Sequence, residues 1–211
     1  MTAASPKPSR GSRRHLSRDQ FLDAAVVLFS RQGVAATTLA HIAKEVGVTS
    51  AMVHYHFANR DQLLDAVVNE RILPFVHALH EPIQAESMHD PLGILRAMAD
   101  CLLDHVLRQP WLAPMWLSDI GSASGELCRR VMPHVPVARV NLLTEAIAAA
   151  QARGEINPNM APHLIFMSMV GVALLPLASL NECRACHPDA DFSVEALRRH
   201  VLGTVNNLLR P

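Results

Sequence analysis

Several things are missing from this chain, and each absence removes a class of answer. No stretch of useful length alternates apolar and polar residues with period two, which excludes a sheet protein and leaves helices as the building material. No glycine-rich phosphate loop, nucleophile elbow or HExxH string is present, so no enzymatic site suggests itself and no catalytic residue is expected. Residues 1–15 are polar and basic with no apolar run behind them, which gives no secretory leader and leads us to expect a cytoplasmic protein. The one long charge-free run, Leu164 to Leu180, has only the minimum length for a bilayer crossing. It contains Gly171 and Pro176 and lacks flanking Lys or Arg, so a helix buried in a helical body or dimer is expected, and no membrane partner.

What remains is a globular composition. Half of the 211 residues are hydrophobic, enough for a sizeable core. Net charge is zero, yet it is unevenly spread: residues 1–60 hold eight of the nineteen Lys and Arg but three of the nineteen Asp and Glu. A surplus of five positive charges on the head is balanced by an equal negative surplus on residues 61–211. That is the electrostatic layout of a protein that meets a polyanion with one end.

The segment TTLAHIAKEVGVTSAMVHYHF, Thr37 to Phe57, gives that head its chemistry. Leu39, Ile42, Ala43 and Val46 share one helical face, Gly47 breaks the pattern, and Thr49 restarts a short helix carrying Met52, Val53 and Phe57. Small Ala43 permits a close helix crossing, Gly47 tolerates positive φ in the turn, and Val48 and Val53 plug the crossing point. Thr38 and Thr49 can each cap the helix that follows, beside free amides that suit a phosphate oxygen. This is a helix-turn-helix with the marks of a DNA reader.

Thr38, Leu39, Ile42, Ala43, Gly47, Val48, Val53, Tyr55, Phe57, Arg60 and Leu63 resemble, in order and spacing, the N-terminal domain of TetR-family transcriptional regulators. The resemblance runs over about residues 17–64 and is most specific in HYHFANRDQLL; beyond residue 70 it gives architecture only. It implies an all-α fold: a three-helix N-terminal DNA-binding head with helix-turn-helix, and a helical C-terminal ligand-binding and dimerisation domain. The expected divisions are a flexible basic arm at 1–15, the head at 16–60 and the body at 61–211. Thr49, Ser50 and His54 are then expected near base edges or phosphates, and Tyr55 and Arg60 on the backbone. His56, Thr38 and Lys44 stand close by, and Arg14, with Arg10, Arg13 and Arg18, is expected to sample backbone or minor groove.

Along the rest of the chain, Ser17 is expected to cap a scaffold helix that ends at Gly33. Asn59 caps a fourth helix, and Pro74 and Pro82 predict a bend near Leu73. Body helices are expected from Asp90 to Gln109, from Trp111 to Ile120, from Glu126 with a break at Pro133 and Pro136 to Gly154, and from Pro162 to Leu180. A polar loop to Asp191 should precede a last helix capped by Ser193. The resemblance implies a homodimer through the last two long helices, reading a palindromic double-stranded operator whose half-sites lie one helical turn apart. It also implies a cavity for a small-molecule effector in the body. Met98, Cys101, Leu102, His105, Trp111, Met115, Trp116 and Met167 are the candidates for its walls, suited to a mostly apolar guest. Binding of that guest would release a repressor from its operator.

Two alternatives stay open at this point. Cys183, Cys186 and His187 in NECRACHP could make a metal or thiol sensor of the same scaffold, although no second CxxC or His pair completes a tetrahedron and no cofactor or metal is expected. A small-molecule binding or catalytic protein that kept the fold without regulating is the other.

Overall fold

The computed structural model describes residues 17–211, so the expected arm, with Arg10, Arg13 and Arg14, lies outside the described residues. Helix α1, Arg18–Gln32, begins at a reciprocal cap in which Ser17 Oγ accepts from the Gln20 amide and Gln20 Oε1 accepts from the Ser17 amide. Its face of Phe21, Leu22, Ala25, Val26, Leu28 and Phe29 is fully buried. Across it lie α2, Leu39–Glu45, and α3, Ser50–His56, joined by a turn in which Gly47 takes φ +73°. Ala43 and Val53 are buried at the crossing, with Val48 half-buried beside them.

The fourth helix, α4 (Arg60–Val67), is capped by Asn59 Oδ1 on the Gln62 amide at 2.9 Å. It does not simply bend at Leu73. A π turn over Val68–Ile72 leads directly into α5, Leu73–His80. The cause is Pro74, which has no amide to offer Glu70; the preceding Leu73 amide instead reaches back five residues to the Val68 carbonyl.

The body continues with α6 (Pro91–Arg108), capped by Asp90, and α7 (Leu112–Met115), which passes into a second π turn over Trp116–Ile120. Then come α8 (Glu126–Val131), α9 (Val137–Ala152) and α10 (Pro162–Ala178). Where a polar loop was expected, α11 (Leu180–Cys186) forms instead, before α12 (Val194–Leu209) with Ser193 as its cap. No strand occurs among the described residues. No single described helix is long and apolar enough to cross a membrane; α10 and α11 together reach that length but are bent by 57°. One apolar core runs from Phe21 in α1 to Leu209 in α12.

Head and body are joined by arginine forks as well as by that core. Arg60, at the start of α4, donates from Nε to the Thr37 carbonyl at 3.1 Å and from one terminal nitrogen to the Val34 carbonyl at 2.6 Å. Both terminal nitrogens also donate to the Glu126 carboxylate at the start of α8, at 2.6 and 3.0 Å. Four residues on, Arg130 of α8 reaches back to Asp61 and Asp65 of α4, each at 2.7 Å. Arg71 in the π turn holds Asp19 and Asp23 of α1 at 2.8 and 2.9 Å. On the far side, Arg198 of α12 grips Asp100 and Asp104 of α6.

The Arg60–Glu126 pair is mostly withdrawn from water, its side chains 30 % and 27 % exposed. The hydrogen bond from the guanidinium, helped by its charge, holds the Glu126 carboxyl below the ordinary glutamate range against the opposing effect of burial. A carboxyl depressed on folding stabilises the fold above its unfolded pKa, about 4.3, and that contribution is lost as pH falls through the folded value. Glu126→Gln is therefore expected to lower stability by about 1–2 kcal/mol at pH 7. In urea titrations the gap to the parent should close as pH drops well below about 4, and a gap independent of pH would contradict the pairing. Gly47→Ala is a purely conformational test, since nothing lies within 4 Å of the added methyl. The left-handed backbone alone should cost about 1–2 kcal/mol in the same assay.

Candidate nucleic-acid interface and body cavity

Helix α3 turns Met52, Val53 and Phe57 toward the head and leaves Ser50, Ala51, His54 and Tyr55 exposed along one side. Tyr55 is 83 % exposed, a large amphipathic ring held where nothing in the described chain covers it. Thr49 flanks this surface, but its side chain makes no capping bond, contrary to the expectation from sequence; its hydroxyl is free. Thr38 does cap, accepting from the His41 amide at 3.2 Å. His54 lies at the helix end with Nδ1 3.4 Å from the Ala58 carbonyl. His56 is half-buried, its ring 5.2 Å from both Phe21 and Tyr55, so it packs α3 onto α1 and steadies Tyr55.

The cations are distributed differently from the expectation. Arg60 faces inward, its fork filled by two carbonyls and a carboxylate as described above, so a phosphate would have to displace them. Arg18 pairs with Glu70 and lies over the Phe57 ring, 5.2 Å from its centroid. Arg31 reaches Glu45 at 3.5 Å. Lys44, at the end of α2, is exposed and takes part in no ion pair among the described residues. Of the eight head cations, four (Lys7, Arg10, Arg13 and Arg14) fall outside the described residues.

The body holds a partly open cavity of about 640 Å³ between α5, α6, α8, α9, α10 and the second π turn. Its size suits a drug-sized guest. Of the residues singled out from sequence, Met98, Trp116 and Met167 line it. Cys101, Leu102, His105, Trp111 and Met115 are not among its walls. His105 bonds the Cys101 carbonyl at 2.8 Å with its ring 5.1 Å from Phe75, and Leu102 and Met115 are sealed in the core. The hydrophobic period showed that α6 has a buried face, but it could not show which end of that face meets the void. Cys101 carries a raised thiol pKa, chiefly from burial, which makes it an unreactive packing residue.

Sequence reasoning missed the polar members of the wall, His80, Arg129, Thr144 and His163. His80 is buried, 6 % exposed, with Nδ1 2.7 Å from the Val76 carbonyl. A carbonyl can only accept, so Nδ1 carries the proton. Burial pushes the imidazolium pKa down, with His77 and Arg139 adding to the shift and the Val76 carbonyl opposing it. A buried histidine in an otherwise apolar helix was the available signal, one that a core reading of α5 absorbs. Among the described residues no cluster of three or more His, Cys, Asp or Glu is placed to hold a metal, the Cys183–Cys186–His187 group included. Those residues lie on and just after α11, with Cys183 half-buried, Cys186 exposed and both thiols free.

Residues 21–67 match the profile of the family described as bacterial regulatory proteins, tetR family. The chain is 35 % identical over 86 residues to the HTH-type transcriptional regulator TtgR of Pseudomonas putida, an alignment covering 39 % of each. It is 37 % identical over 91 residues to the HTH-type transcriptional regulator AcrR of Shigella flexneri, covering 43 % of this chain and 40 % of that protein. It thus spans about two fifths of the length of these relatives. Similarity of fold extends over most of the chain. The ketosteroid transcriptional regulator KstR2 of Mycobacterium tuberculosis superposes with a TM-score of 0.65 at 16 % identity, covering 96 % of this chain and 97 % of that one. PfmR from Thermus thermophilus, a TetR family transcriptional regulator, does so with a TM-score of 0.63 at 17 % identity, covering 92 % and 96 %. Residues 21–67 are thus a helix-turn-helix segment of the TetR family, carried on a helical body of the same fold as these regulators.

Proposed function

We propose that this chain is a homodimeric, ligand-responsive DNA-binding regulator of transcription, a repressor released from a palindromic operator by a mostly apolar small molecule. The observation that carries the reading is the uncovered side of α3, with Thr49, Ser50, His54 and Tyr55 facing outward from a rigid three-helix scaffold. Four polar side chains on one face of a short helix suit a major groove, which admits a helix and presents hydrogen-bonding base edges. Tyr55 and Lys44 supply contacts to phosphate at its margin. Further positive charge comes from Lys7, Arg10, Arg13 and Arg14, while Arg60 and Arg18 are paired with Glu126 and Glu70.

Dimerisation rests on α10. Leu164, Met167, Gly171 and Leu175 succeed one another at spacings of three and four residues and all are exposed, the three apolar side chains by 52 %, 52 % and 59 %. Such a stripe on an apolar helix is suited to self-packing across a two-fold axis, with Gly171 allowing close approach. Two heads so joined can address half-sites about 34–36 Å apart. The cavity shares its α8 wall with the residues that hold α4, so a guest that fits one position of α8 better than another shifts the heads by that difference in affinity.

Fluorescence anisotropy with a palindromic duplex from the promoter of its own gene tests the DNA reading. Affinity should fall steeply with salt, and Arg10, Arg13 and Arg14 changed together to Ala should reduce the slope of log K against log salt by about 2.7, at about 0.9 per phosphate. A flat salt dependence in the parent protein would sink the proposal. Tyr55→Ala should weaken binding roughly tenfold without altering the salt slope by more than about one unit. For the dimer, Leu175→Glu should halve the mass observed by sedimentation equilibrium, since a buried carboxylate pair across the axis is costly; an unchanged mass would place the interface elsewhere.

A further inference from the structure

The cavity has a chemical bias that its size and apolar walls do not by themselves reveal. Two of its polar wall residues are the more sheltered ones, His80 on α5, which is buried, and Thr144 on α9, which is half-buried. Each donates a hydrogen bond to the carbonyl one turn back on its own helix. His80 Nδ1 lies 2.7 Å from the Val76 carbonyl and Thr144 Oγ1 donates to the Val140 carbonyl at 2.9 Å. What each has left is a lone pair. His80 Nε2 has no hydrogen-bond partner among the described residues, and Thr144 Oγ1 accepts from none of them. Among the described residues the only formally charged member of the wall is Arg129, which is exposed and has one guanidinium nitrogen on the Ser124 carbonyl at 2.7 Å; the other lining imidazole, His163, is also exposed. No carboxylate of the described residues lines the cavity.

We propose that this cavity selects an uncharged, largely apolar molecule bearing a hydroxyl or phenol group, whose proton is donated to His80 Nε2. Physical chemistry excludes the nearest competitors. A carboxylate would bring lone pairs against lone pairs and lose its hydration with no buried cation in return. An ammonium would find acceptors but no counter-charge in a low-dielectric site. An ether or plain hydrocarbon would leave the imidazole lone pair buried and unpaired. The inference deepens the effector reading above and rests on it for its biological meaning, though not for the binding preference itself.

The test is equilibrium dialysis of the full-length protein at neutral pH against four probes of nearly equal size: 2-naphthol, 2-methoxynaphthalene, naphthalene and 2-naphthoate. The alcohol should bind roughly tenfold more tightly than the ether and the hydrocarbon, the expected effect of one hydrogen bond to a buried acceptor, and the carboxylate more weakly still. His80→Phe, which keeps the ring and removes the acceptor, should bring 2-naphthol down to the level of the ether while leaving naphthalene unchanged. Should that variant fail to fold, the probe series in the parent protein decides alone. Equal binding of alcohol and ether, preference for the carboxylate, no binding of 2-naphthol up to its solubility limit, or a preference that survives in His80→Phe would each overturn the assignment. Anisotropy of the promoter duplex in the same titrations separates the two readings. Selective binding of 2-naphthol without DNA release would leave the cavity chemistry standing and remove the effector role, whereas DNA release by the ether as effectively as by the alcohol would do the reverse.

Discussion

The planar fork of Arg60 fixes where the head sits on the body. A guanidinium presents its donors in one plane and in set directions, and this one is satisfied on three sides: the turn after α1 through Val34 and Thr37, and α8 through Glu126. Apolar surfaces can slide by a fraction of a turn at little cost, but four directed bonds cannot. Lysine, with a single charge on a flexible stem, could satisfy the carboxylate or the carbonyls and would not fix all three. The net energy of such a pair is modest, of the order of 1–3 kcal/mol, so its contribution is to orientation more than to stability. The same device recurs in Arg130 to Asp61 and Asp65 and in Arg71 to Asp19 and Asp23, which places three forks around α4 and the turn that follows it.

Because α8 receives one fork and supplies another, it is shared between two jobs. Glu126 and Arg130 are one helical turn apart and face α4. Cys128 and Val131 lie round the helix from them and line the cavity. A six-residue helix has no room for these two faces to be independent, so the cavity wall and the anchorage of α4 belong to one short element. Asp119 reinforces the linkage, its carboxylate accepting from the Leu127 amide at 2.7 Å and the Glu126 amide at 3.3 Å while the adjoining Ile120 and Trp116 form part of the same wall. Cavity, α8 and α4 are thus one mechanical chain with short, directed links.

The parts legible in the sequence are those decided within a few residues. Gly47 requires a left-handed backbone, Ser17, Thr38, Asn59, Asp90 and Ser193 cap the helices that follow them, and Pro133 and Pro136 break a helix, all by local chemistry. The direction Arg60 takes is not legible in the motif, which says only that a cation belongs there; it depends on Glu126, sixty-six residues away. The cavity was half legible for a related reason. Periodicity separates buried faces from exposed ones, but a void is a property of how several faces meet, and His80 and Thr144 look like ordinary helix residues until the opposite wall is in place. The residues after Leu180 read as a polar loop from sequence, yet Leu180–Cys186 forms a helix bent by 57° from α10 beyond Ser179.

Two π turns flank this linkage, Val68–Ile72 between α4 and α5 and Trp116–Ile120 between α7 and α8. In each, an amide reaches back five residues, Leu73 to Val68 and Gly121 to Trp116 at 2.8 Å. A π turn holds one residue more than the α turn it replaces, so helices that join through it can change register with less disruption than a regular helix would require. The stiff parts of the linkage are therefore the arginine forks and α8, and the compliant parts are the two π turns at its ends. The forks hold α8 to α4 by directed bonds, whereas the helical hydrogen bonding is already loosened at the two π turns. The three-helix head stands apart from the cavity: Phe21, Phe29, Ile42 and Val53 are buried and none of them lines it.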